Sequence, residues 1–356
     1  MRLKILGLNP GSTSTELGLF EDEKVQFRTA IGYSKEQLAP YSTPIQQFDM
    51  RMEGVLNLLT QEKMDISSLS AIVARGGLLK PMESGTYRVT AEMVQDIRAG
   101  KVMSPHISNI APMMAYRIAV TSAIPAFMAD PVSVDEFEPL ARISGIPEIS
   151  RRALQHTLNV KAVARRAARE LGKTPADLNL NVAHLGGGIS VCPVRAGRIV
   201  DANNANEEGP FSPERAGGLP SFSLAELCLS GEYEKKWIMK RMIGQGGLVA
   251  YLGTNKIPDV ERRIADGDEE AARLFQAMAY QIAKEIGGMA TVLNGEVDRI
   301  ILTGGCAHSD LLTGWISARV SFIAPVAIYP GSDELAALAA AACRVLRGEE
   351  KEKVYR

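Results

Sequence analysis

The feature that most constrains this chain is a strand–turn–strand device with a tip of small residues, present at the start and again half a chain later. Leu3 to Leu8 and Leu17 to Phe20 are apolar runs of strand length, and Asn9-Pro10-Gly11-Ser12-Thr13-Ser14-Thr15 between them is a turn of small and hydroxylated residues. Gly11 lets backbone N–H groups come close to a ligand, and Ser12, Thr13 and Ser14 add hydroxyl donors. Such a tip fits an ordinary polar turn or a seat for an anion, phosphate above all. The second copy has a strand-like run from Leu180 to Ala183, the tip Gly186-Gly187-Gly188-Ile189-Ser190, and a returning strand from Val191. A third variant sets Gly304-Gly305 after the apolar strand Ile300 to Leu302. The spacing GxxxxGK[ST] is absent, so a Walker-type phosphate loop is unsupported. Two such hairpins heading two halves predict a duplicated α/β chain with nucleotide in the cleft between.

At 356 residues the chain has room for two cores. A formal net charge of −1, without a basic patch interleaved with aromatics, argues against a nucleic-acid surface. No apolar run approaches the roughly 20 residues that cross a bilayer. The chain opens directly on a strand without an export leader, and Cys192, Cys228, Cys306 and Cys343 form no CxxC pair. Reduced thiols in the cytoplasm are the expectation.

Several residues stand where α/β folds place ligands. The buried-looking strand Ala71 to Ala74 delivers Arg75 before Gly76-Gly77, at the carboxyl edge of a sheet. Leu78 to Thr86 reads as irregular, and His106 follows Ser104-Pro105. Ala126 to Ala129 ends in Asp130-Pro131, where the carboxylate suits a magnesium ion or a plain Asp-Pro turn. Asp135, Glu136 and Glu138 read as a solvated loop. Ser150 to Leu171, carrying His156, reads as one long helix, and Asp201 follows a short returning strand. The long loop that follows Asp201 contains Phe211, Pro213 and Arg215, which favours a functional role over disorder. The terminal GEEKEKVYR reads as frayed and solvated.

The strings NPGSTST, ARGGLLKP, ARISGIPEI, HLGGGIS, GPFSPERAGGLP, GGLVAYLGTN and SFIAPV span nearly the whole chain. Together they resemble the butyrate kinase branch of the acetokinase family, within the acetate and sugar kinase, Hsc70 and actin superfamily. The resemblance implies duplicated actin-like, ribonuclease H-like domains, each a mixed sheet flanked by helices. It divides the chain into 1–149 with 334–356, holding the acyl substrate, and 150–333, holding nucleotide and the oligomer interface. It implies phosphoryl transfer from ATP to butanoate or a related short or branched fatty acid, with Mg2+. Arg75 and Arg215 would hold the substrate carboxylate and the developing phosphoryl charge, and His156 would hydrogen-bond the transition state. Asp130 and Glu334 would fix the metal, and His106 would border the acyl pocket. Asn9, Gly11, Ser12, Ser14, His184, Gly186, Gly187, Gly188 and Asp201 would line the nucleotide, with Gly304 and Gly305 against adenosine. A homo-oligomer is expected.

A carboxylic acid is already ionised at pH 7, so such an enzyme needs cations rather than a general base. One departure stands out: Glu16 occupies the place of the family's lysine, and is expected to face away from the phosphates. The alternatives are an acetate or propionate kinase and, from another class, an actin- or Hsc70-like switch ATPase. The latter proteins carry acidic residues in the second hairpin, where this chain has His184 and three glycines.

Overall fold

The computed structural model describes residues 2–355. The chain forms two compact units, 1–135 with 333–356, and 136–332. The first is built on a mixed six-stranded sheet. Its strands are β1 (Lys4–Pro10), β2 (Ser14–Glu21), β3 (Lys24–Gly32), β4 (Ala71–Arg75), β5 (Thr86–Arg88) and β6 (Ala126–Ala129), in spatial order β3-β2-β1-β4-β6-β5. The first three form an antiparallel meander, β4 and β6 run parallel to β1, and β5 closes the edge antiparallel.

β1 is almost wholly apolar because both of its faces are covered. On one side Leu6, Leu8 and Ile72 pack with Met52 and Val55 of the helix Phe48–Gln61 and Met114 and Ile118 of the helix Ile110–Thr121. On the other lies the helix Glu334–Leu346. Gly7 and Gly18 face each other across β1 and β2. A Cβ on Gly7 would stand 3.1 Å from Leu335, and one on Gly18 3.3 Å from it, so the glycine pair makes room for this side chain. The packing of Leu335 thereby fixes Glu334 in the first turn of the same helix.

Two expectations change here. The stretch 78–86 ends in the short strand β5, which the proline and glycine content hides. The C-terminal segment is docked rather than frayed: Lys353 pairs with Thr86 and Arg88 backbones, Glu350 accepts from Thr86, and Tyr355 is 2% exposed. Its many charges have partners in this unit, which a reading for hydrophobicity misses.

The second unit repeats the plan in five strands: β7 (Asn179–Leu185), β8 (Ile189–Arg195), β9 (Arg198–Ile199), β10 (Arg299–Gly304) and β11 (Val326–Pro330). Their order is β11-β10-β7-β8-β9, with β7 antiparallel to β8 and parallel to β10, as β1 is to β2 and β4. The helix Glu269–Val292 buries Phe275, Met278, Ile282, Ile286 and Met289, a stripe of helical period, on one face. The helix Thr157–Glu170 covers the other through Val160, Ala164 and Ala167.

The segment 136–149 belongs with this second unit, so the division falls at 135/136 rather than 149/150. Glu136, expected in a solvated loop, is buried and accepts from Lys161 Nζ at 2.6 Å and from the Ile199 N–H at 2.8 Å. Phe137 and Ala141 pack in the core beside Val160. Nor is 150–171 one helix. Residues 150–156 are irregular and the helix starts at Thr157. Arg151 holds the irregular part, donating to the Ala141 and Ala202 carbonyls and to Asp201 and Glu208. Among the described residues no helix is long and apolar enough to cross a membrane.

Candidate functional site

The first hairpin tip is shaped from below by a residue the sequence reading missed. Arg51, 0% exposed, donates to the carbonyls of Gly11 (2.9 Å), Ser14 (2.8 Å) and Ser12 (2.9 Å), and to Thr15 Oγ1 (3.1 Å). Tyr33 stacks on its guanidinium at 4.5 Å and donates its hydroxyl to Thr15. Three carbonyls of the 11–14 tip are therefore turned toward Arg51, which fixes the peptide planes of the turn. The signal was present in the sequence: Phe48, Arg51, Met52, Val55 and Leu59 are the buried positions of one helix, and Arg51 sits among them. The Gly11 N–H is occupied by Ser14 O at 2.8 Å, so it is not a spare donor. A Cβ at Gly11 would meet nothing closer than 3.7 Å, so the turn itself does not demand glycine there.

Beside this tip, Asn9 joins the residues picked out as metal and substrate ligands. Its Nδ2 donates to Glu334 at 2.9 Å and to Glu16 at 3.2 Å, and Arg75 Nη1 meets Glu334 at 3.0 Å. Glu16 therefore turns toward this group instead of away. The cause is register: Glu16 lies directly opposite Asn9 across the β1/β2 pair. Asn9 is 8% exposed and its Oδ1 is buried without a hydrogen-bond partner. A buried carbonyl oxygen without a donor is costly, and a hard cation is one group that would relieve it. An amide oxygen with carboxylates suits Mg2+. Among the described residues no cluster of three or more His, Cys, Asp or Glu could hold a metal alone, so phosphate and water would complete the shell.

Asp130 leaves the end of β6 at φ 39°, in the left-handed region, and its Oδ1 accepts from Ser84 Oγ (2.6 Å) and the Gly85 N–H (2.9 Å). It thus also secures the turn into β5. His106 caps the short turn Ile107–Asn109, with Nδ1 accepting from the Ser108 N–H at 3.1 Å. The neutral ring therefore carries its proton on Nε2. Burial, and then the charge of Arg75, hold its pKa below the usual histidine value, so at pH 7 it is a neutral donor.

In the second unit the glycine tip of the β7/β8 hairpin is covered by the loop around Arg215. Ser212 Oγ donates to the Gly187 carbonyl and accepts from the Arg215 N–H. A Cβ on Gly188 would overlap the Arg215 guanidinium, with Cζ 2.5 Å away, and one on Gly187 would come 2.8 Å from Glu214. Glycine at 188 is what lets Arg215 lie on the tip. Arg215 Nη1 donates to Ala205 O at 3.1 Å, whereas Nε is buried with no partner.

His184 and His156 stack in the same region, with ring centroids 3.8 Å apart and planes within 10°. Nδ1 of His184 lies 2.8 Å from the Asn159 amide nitrogen, which also donates to Thr303. An amide nitrogen can only donate, so His184 accepts at Nδ1 and presents Nε2–H beside Gly186. His156 Nδ1 is 2.8 Å from Ser190 Oγ. Gly304, at φ 90°, is fixed by a two-way hydrogen bond with Gly331, and a Cβ there would overlap the Leu185 carbonyl. Gly305 faces open space. Asp201 fits its expected place least, because its Oδ1 is taken by Arg151 at 2.9 Å and by the Ala202 N–H.

Comparison with known proteins identifies the family and the fold. The acetokinase family model matches residues 148–311. A protein of Caldanaerobacter subterraneus subsp. tengcongensis named "Probable butyrate kinase 2" is 51% identical over 352 residues, 99% of each chain. Among solved structures, Porphyromonas gingivalis acetate kinase superposes with a TM-score of 0.79 at 17% identity, covering 97% of this chain and 100% of that one. A propionate kinase from Francisella tularensis gives 0.72 at 18%, covering 95% and 98%. The last two fix the fold as the duplicated actin-like one. With half of its residues matched end to end by such a relative, the chain belongs to the acetokinase family.

Proposed function

We propose that the protein is a butyrate kinase: it transfers the terminal phosphoryl group of ATP, directly and in line, to the carboxylate of butanoate or a related short or branched acid. The observation that carries this reading is Arg215, a half-buried guanidinium whose enclosed Nε lacks a partner, seated on the glycine tip of the β7/β8 hairpin. A partly desolvated guanidinium with a donor left unused suits an anion. The 51% identical relative supports butanoate as the acceptor.

In this reading Arg75 takes the substrate carboxylate, exchanging part of its contact with Glu334, and Nε2–H of His106 donates to it. Arg215 and His156 stabilise the charge spread over the transferring group, which passes without a base because the nucleophile is already ionised. Asn9, Ser12, Ser14 and the Gly11 face serve the phosphates in one unit. His184 and Gly186 to Gly188 serve them in the other, Gly304-Gly305 takes the adenosine, and Asp201 acts by steadying the loop that carries Arg215. Asn9 Oδ1, Glu334 and Asp130 would hold Mg2+, which supplies charge neutralisation when bound. We also place the enzyme in the cytoplasm as a homo-oligomer. The helices Ser221–Leu229 and Lys235–Met242 bury no residue, and Phe222 and Leu229 are 77% and 86% exposed, a surface suited to a second copy. ADP release from magnesium-ATP that depends on added butanoate tests the activity. Equal ADP release with and without the acid would refute it and favour the switch ATPase.

A further inference from the structure

Glu16 is a carboxylate of the first sheet that no positive side chain answers. On β2 it stands opposite Asn9 of β1 and opposite Ala30 of β3, and Arg28, opposite Gly18 two residues on, shares its face. Arg28 is taken by Asp333, which it meets at 2.5 Å, and Arg75 by Glu334, at 3.0 Å. Among the described residues Glu16 has no lysine, arginine or histidine partner, and its hydrogen bond comes from Asn9 Nδ2 at 3.2 Å.

An exposed carboxylate by itself needs no partner, since water solvates it. Here, however, the amide nitrogen that donates to Glu16 also donates to Glu334 at 2.9 Å, so the two carboxylate oxygens stand within ~6 Å and repel. Oδ1 of the same amide is buried, on a residue 8% exposed, and has no partner. Two carboxylates drawn to one amide whose oxygen lacks a donor make an oxygen-only ligand set short of positive charge. That set suits a hard divalent cation such as Mg2+ or Mn2+, which takes one or two carboxylates and keeps water in the rest of its shell.

We propose that Glu16 turns the Asn9–Glu334 pair into a divalent-cation site that fills before any nucleotide binds. The order, cation first and nucleotide second, rests on the kinase reading above; the site itself does not. Without the cation the Glu16 carboxylate opposes incoming phosphates, and with it the face is neutralised. Nucleotide affinity therefore follows the concentration of free divalent cation.

The test is Mn2+ binding to the nucleotide-free, full-length protein, read by the electron paramagnetic resonance of unbound Mn2+, in wild type, Glu16→Gln, Glu16→Lys and Glu92→Gln. Glu16→Gln keeps the shape and can still accept from Asn9, so only the charge is lost. Glu92, an exposed carboxylate on the helix Ala91–Arg98, is the control. Wild type and Glu92→Gln should hold one Mn2+ per chain, displaced by Mg2+. Glu16→Gln should weaken it at least about tenfold, the loss seen even for groups behind the ligands, and Glu16→Lys should abolish it. In wild type the KM for ATP should fall as Mg2+ is raised beyond the nucleotide, and in Glu16→Lys it should be low and flat. Mn2+ that does not bind without nucleotide, or binds Glu16→Gln as tightly as wild type, would overturn the proposal, as would a wild-type KM indifferent to free Mg2+. No butanoate-dependent ADP release at any Mg2+ concentration would instead sink the kinase reading, and the Mn2+ titration would still decide the site.

Discussion

Replacing Arg51 with methionine is the sharpest way to ask whether the first hairpin tip is held from beneath. The substitution keeps the volume and the helix propensity and removes the charge. It deletes the hydrogen bonds to three main-chain carbonyls and to Thr15 Oγ1, and a fifth to Gln47. Each bond from a charged donor is worth about 1.5–3 kcal/mol, but removing the buried guanidinium also returns several kcal/mol of desolvation cost. Ser12 is exposed, so water can reach its carbonyl, while the more enclosed Gly11 carbonyl loses its donor and the Ser14 carbonyl keeps only the Gly11 N–H. The net loss is then about 3–5 kcal/mol, a large part of the ~5–15 kcal/mol that stabilises a typical domain. Because the tip loses its fixed peptide planes, the KM for nucleotide should rise at least about tenfold, equivalent to ~1.4 kcal/mol. Urea denaturation and steady-state kinetics read the two effects. A loss below ~1 kcal/mol with an unchanged KM would refute the reasoning.

Other positions are as exposed to test. Gly188→Ala forces a methyl group into the Arg215 guanidinium and should cut kcat about 100-fold or more, with the melting temperature nearly constant; Gly314→Ala, which faces open space on the helix Asp310–Val320, is the control and should change little. Glu16→Lys replaces a carboxylate near Asn9 with a cation, and the nucleotide KM should fall roughly 5–10-fold, about 1–1.4 kcal/mol; an unchanged KM would show that Glu16 does not act on the phosphates. His106 has a lowered pKa in the native state, so the unfolded chain binds the proton first as pH falls below the ordinary value of 6.5. Stability from this residue is complete above that pH and is lost as pH falls below it toward the native value, so His106→Asn should flatten the stability profile below about pH 6.5. Urea midpoints at several pH values would show it, and identical slopes in the two proteins would contradict it.

The duplicated plan was legible because both hairpins announce themselves twice over, by apolar strands and by tips that only small residues can make. Arg75 was legible for the same reason, an arginine closing an apolar strand before Gly76-Gly77. Arg215 followed only from the family resemblance, since nothing local reveals that its guanidinium will lie on Gly188, some 27 positions earlier in the chain. Arg51 was missed because a helix with one arginine on its apolar stripe looks like a helix with one flaw. Glu16 was misjudged for a different reason: its side chain follows from strand register, and register is visible only once Asn9 is known to stand opposite. Polar partners distant in sequence also explain Glu136 with Lys161 and the docked tail at Tyr355. Periodicity does not record which charges will meet.

The account stands or falls on whether the phosphoryl group reaches a carboxylate. Hydroxylamine trapping of acyl phosphate, with magnesium-ATP and a series of acids from acetate to pentanoate, measures that directly in wild type and in Arg75→Ala and Arg215→Ala. The prediction is a maximum at four or five carbons, and losses of about 1,000-fold or more in each variant, ~4 kcal/mol of lost transition-state stabilisation. ATP consumed without trapped acyl phosphate, or variants that retain activity, would contradict the account.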